Sequence, residues 1–406
     1  MFETKTLKTL LNEVLKANHK SIAIMQHAKL TNGTLEMQGS GACHFVAETG
    51  TDLTGFLDVR LFSKTGNMVT STSSGTYSSE DYPSNIYPTD TNLARFQLPP
   101  ELFSVNFQQF AKYTSGDVTR ACLQGIYFNP DLNEVAATNG HVLLAKKLDT
   151  EIPIPFLVAP HSFKILDILA PHIQAAEIVK DVECKVTVDG SEEIRRYDFL
   201  RVSGDGFSFV SKCMEELPYP NYDRCIPKPL ADLSVTLSPE AVGKLIAALN
   251  ALLPFANCET HLCIFENDEV FVRNIDTGKH IRVKIGDRIL AEKYVRIAFN
   301  IRYLLQVLKD ASTGGSVAIN YGATQISAVT VQTEKQRTLI MPMRIVEEPA
   351  FGIPPEYIDV EPVKASAKKP VAAKLDKAIE KFALLLQEKL GKKQLLENLK
   401  AMEELL

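Results

Sequence analysis

No stretch of this 406-residue sequence approaches the ~18 apolar residues that a membrane-spanning helix needs. The N-terminus, MFETKTLKTLLNEVLKA, carries charges throughout, unlike a secretory leader, so a cytoplasmic protein is expected. Cysteine is sparse: seven residues, an odd number scattered along the chain, fit reduced buried thiols better than a disulfide framework. Catalytic signatures are missing as well. There is no phosphate-binding loop, no dinucleotide glycine motif and no His-Glu-x-x-His, so neither an enzyme nor a cofactor is expected. Cys258, His261 and Cys263 stand as Cys-x2-His-x-Cys, but CETHLCIF also reads as a strand, and a zinc site needs a fourth ligand; no metal is assigned. Finally, the chain has no excess of positive charge: 44 Lys plus Arg against 49 Asp plus Glu leave a net charge of −5. Proteins that grip nucleic acid by neutralising phosphates have the opposite balance. Either this chain does not bind DNA, or it holds DNA topologically and needs only a local basic lining.

What is present is a repeat. With 45% hydrophobic residues the chain is long enough for two to four domains, each with its own core. Helix-like segments recur at 6–17, 57–66, 98–114, 158–171, 237–253 and 299–313, with apolar residues spaced three and four apart, several after a Pro, Ser or Asn. Runs such as EVAATNGHVLLAKKL, CKVTVDG, DFLRVSGDGFSFVSK and HLCIFENDEVFVRNI alternate apolar and polar residues around short turns, and ACLQGIYFN reads as another strand. The unit is strand, helix, then several strands, used six times, which makes an α+β architecture. Six units pair into three similar domains, 1–95, 96–228 and 229–348. Proline-rich connectors mark the joints at EDYPSNIYP (80–88), LPYPNYDRCIP (217–227) and EEPAFGIPPEY (347–357).

Three strings then stand out: ATNGHVLLAKKL (137–148), LPYPNYDRCIP (217–227) and TLIMPMRI (338–345). In this order and at these separations they resemble the bacterial DNA polymerase III beta subunit, the sliding clamp, over roughly residues 1–346. In that family a Thr-Asp-Gly-His-Arg-Leu strand, a Phe-Pro-Asp-Tyr-x-Arg-Val-x-Pro linker and a Met-Pro-Met-Arg-Leu terminus build one peptide-binding cleft. Carried over by motif, the cleft comprises Leu123; Thr138, Gly140, His141, Val142 and Leu143; Pro220, Arg224 and Cys225; and Leu339, Ile340, Met341, Pro342, Met343, Arg344 and Ile345. Apolar and Met side chains suit such a trap because they adapt to different ligands. The family's acidic residue is Asn139 here, its Arg is Val142 and its aliphatic is Cys225, so the rim is less charged.

The resemblance implies a DNA clamp fold and a head-to-tail homodimeric ring that encircles double-stranded DNA without reading its sequence. It also implies that DNA polymerase and the clamp loader bind through the cleft. A clamp-fold adaptor that binds replication factors without encircling DNA is the alternative. Basic residues on or beside the helices are the DNA-facing candidates: Lys5, Lys8, Lys16, Lys20, Lys64, Lys112, His161, Lys164, Lys244, Arg302 and Lys309. The second unit is abbreviated, with MVTSTSSGTYSS (68–79) where the family presents an apolar dimer edge, and this trimmed, divergent form suggests a phage or other mobile element. Beyond Glu348 a Pro-, Ala- and Lys-rich tether (353–373) precedes a helical hairpin around Gly391 with apolar stripes Leu375, Ile379, Phe382, Leu386, Leu390 and Leu395, Leu399, Met402, Leu406.

Overall fold

The computed structural model describes residues 2–18, 24–39, 42–71, 82, 92–188, 191–214, 219–256, 261–273, 280–312, 315–345 and 355–358. The first stretch runs α1 (Thr4–Lys16), β1 (His27–Thr31), β2 (Thr34–Gly39), β3 (Cys43–Glu48), β4 (Gly55–Asp58), α2 (Val59–Thr65) and β5 (Thr70–Ser71). The middle runs β6 (Arg95–Leu98), α3 (Phe107–Ala111), β7 (Ile126–Asn129), β8 (Glu134–Thr138), β9 (Val142–Lys147), β10 (Phe156–Val158), α4 (Phe163–Leu169), β11 (Ala175–Val188), β12 (Ser191–Gly204) and β13 (Phe207–Lys212). The last runs β14 (Ser234–Leu237), α5 (Pro239–Leu252), β15 (Leu262–Glu266), β16 (Glu269–Arg273), β17 (His280–Lys284), β18 (Arg296–Asn300), α6 (Ile301–Ala311), β19 (Val317–Asn320), β20 (Val329–Gln332), β21 (Gln336–Ile340) and β22 (Glu356–Tyr357). All six expected helical segments are helices.

Local chemistry starts and stops them. Asn300 caps α6, its side chain accepting from the amides of Arg302 and Tyr303, and Ile301, Leu304, Leu305 and Leu308 then fall on one buried face. Ser238 caps α5, whose first residue is Pro239, a position where the missing N–H costs nothing. Gly66 ends α2 at φ +81°, a conformation that a Cβ disfavours.

The strands follow one exchange rule. The strand entering each helix leaves its own unit and pairs with the first strand of the sister unit: β6 with β11, β10 with β7, β14 with β19 and β18 with β15. β4 pairs with β1 in the same way. Sister units are therefore interlocked, and their helices pack in pairs: α1 on α2, α3 on α4, α5 on α6.

A second rule joins the pairs. β3 runs antiparallel to β13, from Cys43↔Ser211 to Ala47↔Phe207, and β9 to β21, from Val142↔Ile340 to Lys146↔Gln336. Sheets of nine, eight and five strands result, two of which cross the joints expected from the connectors. On the other side the helices line up as well. α1 touches α4, with Lys164 Nζ 2.7 Å from Glu13, and the end of α3 meets α6, where the Tyr113 hydroxyl donates to Asp310 at 3.0 Å. The helices thus form a row α2, α1, α4, α3, α6, α5 backed by the sheets, with a continuous apolar core running from Leu7 to Ile340 between the layers.

Three segments depart from expectation. Residues 121–124, expected in a strand, belong to a 3-10 turn over Val118–Gln124 that Asp117 starts by accepting from the Thr119 amide, and β7 begins only at Ile126. The hairpin β11/β12 is longer than the two short strands expected, 14 residues on each side, because exposed charged residues such as Arg195 and Arg196 continue the ladder without a core beneath them. The abbreviated second unit contributes β4, α2 and the two-residue β5. Lys20, Cys258, most of 72–91 and the helical hairpin expected at 374–406 lie outside the described residues. Among the described residues no helix is long and apolar enough to cross a membrane.

Replacing Asn300 by Ala leaves two amides of α6 uncapped and is expected to destabilise the protein by about 1 kcal/mol. A lowered urea midpoint with unchanged slope is the readout.

Candidate functional site

The β9/β21 junction has two faces. Because strand side chains alternate, Val142, Leu144 and Ile340 point to the helices and join the main core, while Leu143, Ala145 and Leu339 point outward. On that outer face they form a separate cluster with Ala136 and Tyr222, bordered by Tyr127, Leu132, Tyr219, Ile226 and Met341. Two alanines, Ala136 on β8 and Ala145 on β9, stand opposite each other and keep the face low, so the connector can lie on it.

The connector is tied down by a polar clamp. Arg337 on β21 reaches across β9 and meets both carboxylate oxygens of Glu134 on β8 at 2.7 Å, and its other nitrogen is 3.2 Å from Asp223 of the connector. The Tyr222 hydroxyl donates to Glu134 at 3.3 Å and accepts from Asn129 at 3.1 Å; burial raises its pKa above that of an ordinary phenol. Tyr219 stacks on Tyr127 with ring centroids 4.6 Å apart. Pro220, Arg224 and Cys225 remain exposed along this strip.

The turn before β9 is built from its own side chains. Thr138 Oγ1 donates to the Val142 carbonyl, and Asn139 Oδ1 accepts from the amides of His141 and Val142. Gly140 sits at φ +88°, where an added Cβ would approach Arg120 at 3.2 Å. His141 is exposed and stacks on Tyr303 of α6 at 6.1 Å, and its carbonyl accepts from the Met341 amide.

The expected cleft residues therefore divide. Leu143, Leu339 and Met341 share the outer cluster with the connector. Leu123 is buried in the turn before β7. Val142 and Ile340, included in the expected cleft, lie in the interior instead because they occupy the alternate face of their strands. Met343 and Ile345 pack on a neighbouring outer patch of Ile264, Phe271 and Ala298, with the Met343 amide donating to Ala298. Pro342 is partly covered between the two patches and Arg344 is exposed. Sequence reading missed Tyr219, Tyr222, Ile226, Glu134, Tyr303 and Arg337. The Tyr-Pro-Asn-Tyr string signals the tyrosines, but nothing local announces the Arg337–Glu134 pair.

The helix row has its own electrostatics. Its six helices hold Lys5, Lys8, Lys16, Arg60, Lys64, Lys164, Lys244, Arg302 and Lys309 against only Glu13, Asp167, Glu240 and Asp310, opposite in sign to the whole chain. Lys112 follows directly after α3. Several of the acids serve the scaffold: Asp167 accepts from the Phe107 and Gln108 amides, and Asp310 holds Tyr113. Lys16 and Lys164 share Glu13, Lys112 lies 3.5 Å from Asp310, and Lys244 pairs with Glu240 and Asp287. Lys5, Lys64 and Arg302 are exposed and carry no ion pair among the described residues. A cavity of about 540 Å³ opens among α1, α2 and α4, lined by Thr9, Asn12, Lys16, Arg60 and Lys164.

His161 corrects the expected lining. Its Nε2 lies 3.0 Å from Ser211 Oγ, and burial pushes its pKa down to about 4, so it is neutral near pH 7 and offers no cation. Among the described residues no group of three or more His, Cys, Asp or Glu side chains is arranged to hold a metal; Cys263 is buried, its thiol directed at the Phe299 carbonyl.

Similarity to solved structures is extensive. The chain superposes on the DNA polymerase III subunit beta sliding clamp of Bartonella birtlesii, solved with griselimycin bound, with a TM-score of 0.63 at 16% identity over 84% of this chain and 98% of that one. The beta subunit of Thermotoga maritima matches with a TM-score of 0.62 at 15% identity, over 84% and 98%. That of Streptococcus pyogenes gives 0.61 at 14%, over 85% and 99%. The fold is that of a bacterial sliding clamp. No protein-family model matches the chain and no curated protein matches its sequence, so the clamp fold is carried here by a strongly divergent sequence. In this clamp fold the connector cluster lies on the outer surface of the sheets, and the basic helices form the opposite layer.

Two expected outcomes follow from the geometry. Arg337→Ala takes the counter-ion from the buried Glu134 carboxylate, leaving it the Tyr222 hydroxyl, and frees Asp223; the loss should be about 2 kcal/mol, between surface and fully buried pairs. Faster amide exchange across 219–226 is the check. His161, with a folded pKa of about 4 below its usual 6.5, contributes stability that is complete above about pH 6.5 and lost as pH falls toward 4. His161→Asn should flatten that part of the stability profile between about pH 7.5 and 4.5, measured by urea midpoints.

Proposed function

We propose that the chain is a DNA sliding clamp: a ring that encircles duplex DNA and tethers a polymerase, and by the same surface a clamp loader, through the outer cluster at the β9/β21 junction. The observation that carries this reading is the convergence of the three motif strings. Leu143, the Tyr219–Ile226 connector, Leu339 and Met341 come together on one outer face of a clamp-fold chain. Its domains would be 1–95, 96–228 and 229–348, followed by the 349–406 extension. Two copies joined head to tail would close the ring, as cyclic symmetry of a heterologous contact allows. The role is mechanical and not enzymatic. Tethering raises the effective concentration of the polymerase at its primer.

The charge distribution supports a topological hold. Nine basic residues concentrated on the helices of a net-acidic chain would give weak phosphate contacts facing the duplex, while the acidic remainder discourages adhesion elsewhere. Binding to a short linear duplex should accordingly be weak and fall steeply with salt.

The cleft is tested by substitution. Leu143→Ala and Met341→Ala should each remove about 1–3 kcal/mol of binding to a clamp-binding peptide and abolish polymerase stimulation together, with the oligomeric state unchanged. Unaltered peptide affinity in the double variant, measured by titration calorimetry, would refute the assignment.

A further inference from the structure

The two joints within the chain use one device. In each, the last of three consecutive strands following a helix offers its outer edge to an antiparallel strand from a distant unit: β3, after α1, takes β13, and β9, after α3, takes β21. Each of these contacts is five residue pairs long. After α5, β17 holds the equivalent place at the end of β15, β16 and β17. By the same rule its edge is where the next antiparallel strand should dock, and in a closed ring that strand belongs to a second copy of the chain.

That edge is already occupied. β22 lies along β17, pairing Ile281 with Glu356 and Arg282 with Tyr357, and the Ile358 amide donates to the Arg282 carbonyl at 3.0 Å. Side chains fasten it. The Tyr357 hydroxyl donates to Glu269 at 3.1 Å beside the Arg282–Glu269 pair, Lys284 stands 5.6 Å above the Tyr357 ring, and Ile358 packs on the core. The direction is wrong for a clamp joint: β22 runs parallel to β17, whereas both internal joints are antiparallel.

We propose that residues 355–358 form a strap, held in cis, over the ring-closing edge, so that a second copy joins at β17 only after the strap leaves; this rests on the clamp reading above. The competition is close by construction. The strap has two ladder pairs where each internal joint has five, so an incoming strand wins on contact length, while the strap wins on effective concentration because its own chain delivers it. An exposed strand edge also invites indiscriminate pairing, and the strap suppresses that until a correct partner arrives. Ring closure thereby becomes adjustable by whatever binds the 349–406 extension.

The test uses the full chain and sedimentation to measure self-association. Ile358→Pro removes the amide that donates to Arg282 and should tighten dimerisation by about tenfold or more, since the competent state is no longer withheld. Arg282→Cys with Tyr357→Cys, facing each other across the ladder, locks the strap when oxidised; the locked form should stay monomeric and regain dimerisation on reduction. The proposal is overturned if the oxidised lock dimerises like its reduced form, if Ile358→Pro leaves self-association unchanged, or if every form stays monomeric. Cleft-peptide affinity on the same samples separates the two levels. Normal peptide binding with strap-independent association sinks only the strap, whereas absent peptide binding in the unaltered chain sinks the clamp reading itself.

Discussion

The edge pairing of β9 with β21 is the contact on which the arrangement depends. Its backbone ladder joins two distant parts of the chain, and its register decides what faces each side. With Leu143 opposite Leu339, the outward residues build the connector cluster; with Val142 opposite Ile340, the inward ones complete the core. A slip of one residue would exchange these faces, exposing Ile340 and burying Leu339, so core packing and the proposed binding surface are specified by one set of hydrogen bonds. The β3/β13 ladder repeats the solution, which explains how sheets continue across joints that the chain itself marks with prolines.

Much of this could be read from residue order because the signals are local. Spaced leucines at Leu7, Leu10, Leu11 and at Leu304, Leu305, Leu308 reveal α1 and α6, and the Thr-Asn-Gly-His turn is dictated by Asn139 and by the positive φ of Gly140. The strings around His141, Tyr222 and Met341 were legible as one surface only through their resemblance to a family. Periodicity alone would put Met341 and Met343, two residues apart, on one face of a continuing strand, whereas the structure ends β21 at Ile340 and sets them on two adjoining outer patches. What stayed hidden is pairwise and long-range. The exchange of β6 and β10 between sister units, the reach of Arg337 to Glu134 across 203 positions and the parallel seat of Tyr357 beside Arg282 leave no local trace. His161 misled for a related reason: its sequence context resembles a helix start, and only the packing of β13 against it makes it neutral.

The two layers divide the labour of charge. Acids on the helices are spent on structure, with Asp167 capping α3 and Asp310 receiving Tyr113, and this leaves Lys5, Lys64 and Arg302 free to face outward. On the proposed clamp reading, a protein that moves along DNA benefits from contacts that are numerous, weak and interchangeable, since a deep site for one phosphate would arrest it. Net acidity and a basic helix layer are therefore compatible within that reading. On the outer layer the Arg337–Glu134–Tyr222 network holds the connector over the apolar face of Leu143 and Leu339.

The central claim is that DNA is held by enclosure. Retention on nicked circular DNA after loading, followed through a high-salt wash and then through linearisation, tests it most directly. The account predicts that the protein survives the wash on the circle and is lost when the circle is cut, as it slides off the ends. Loss in the wash, or retention after cutting that matches the circle, would contradict it.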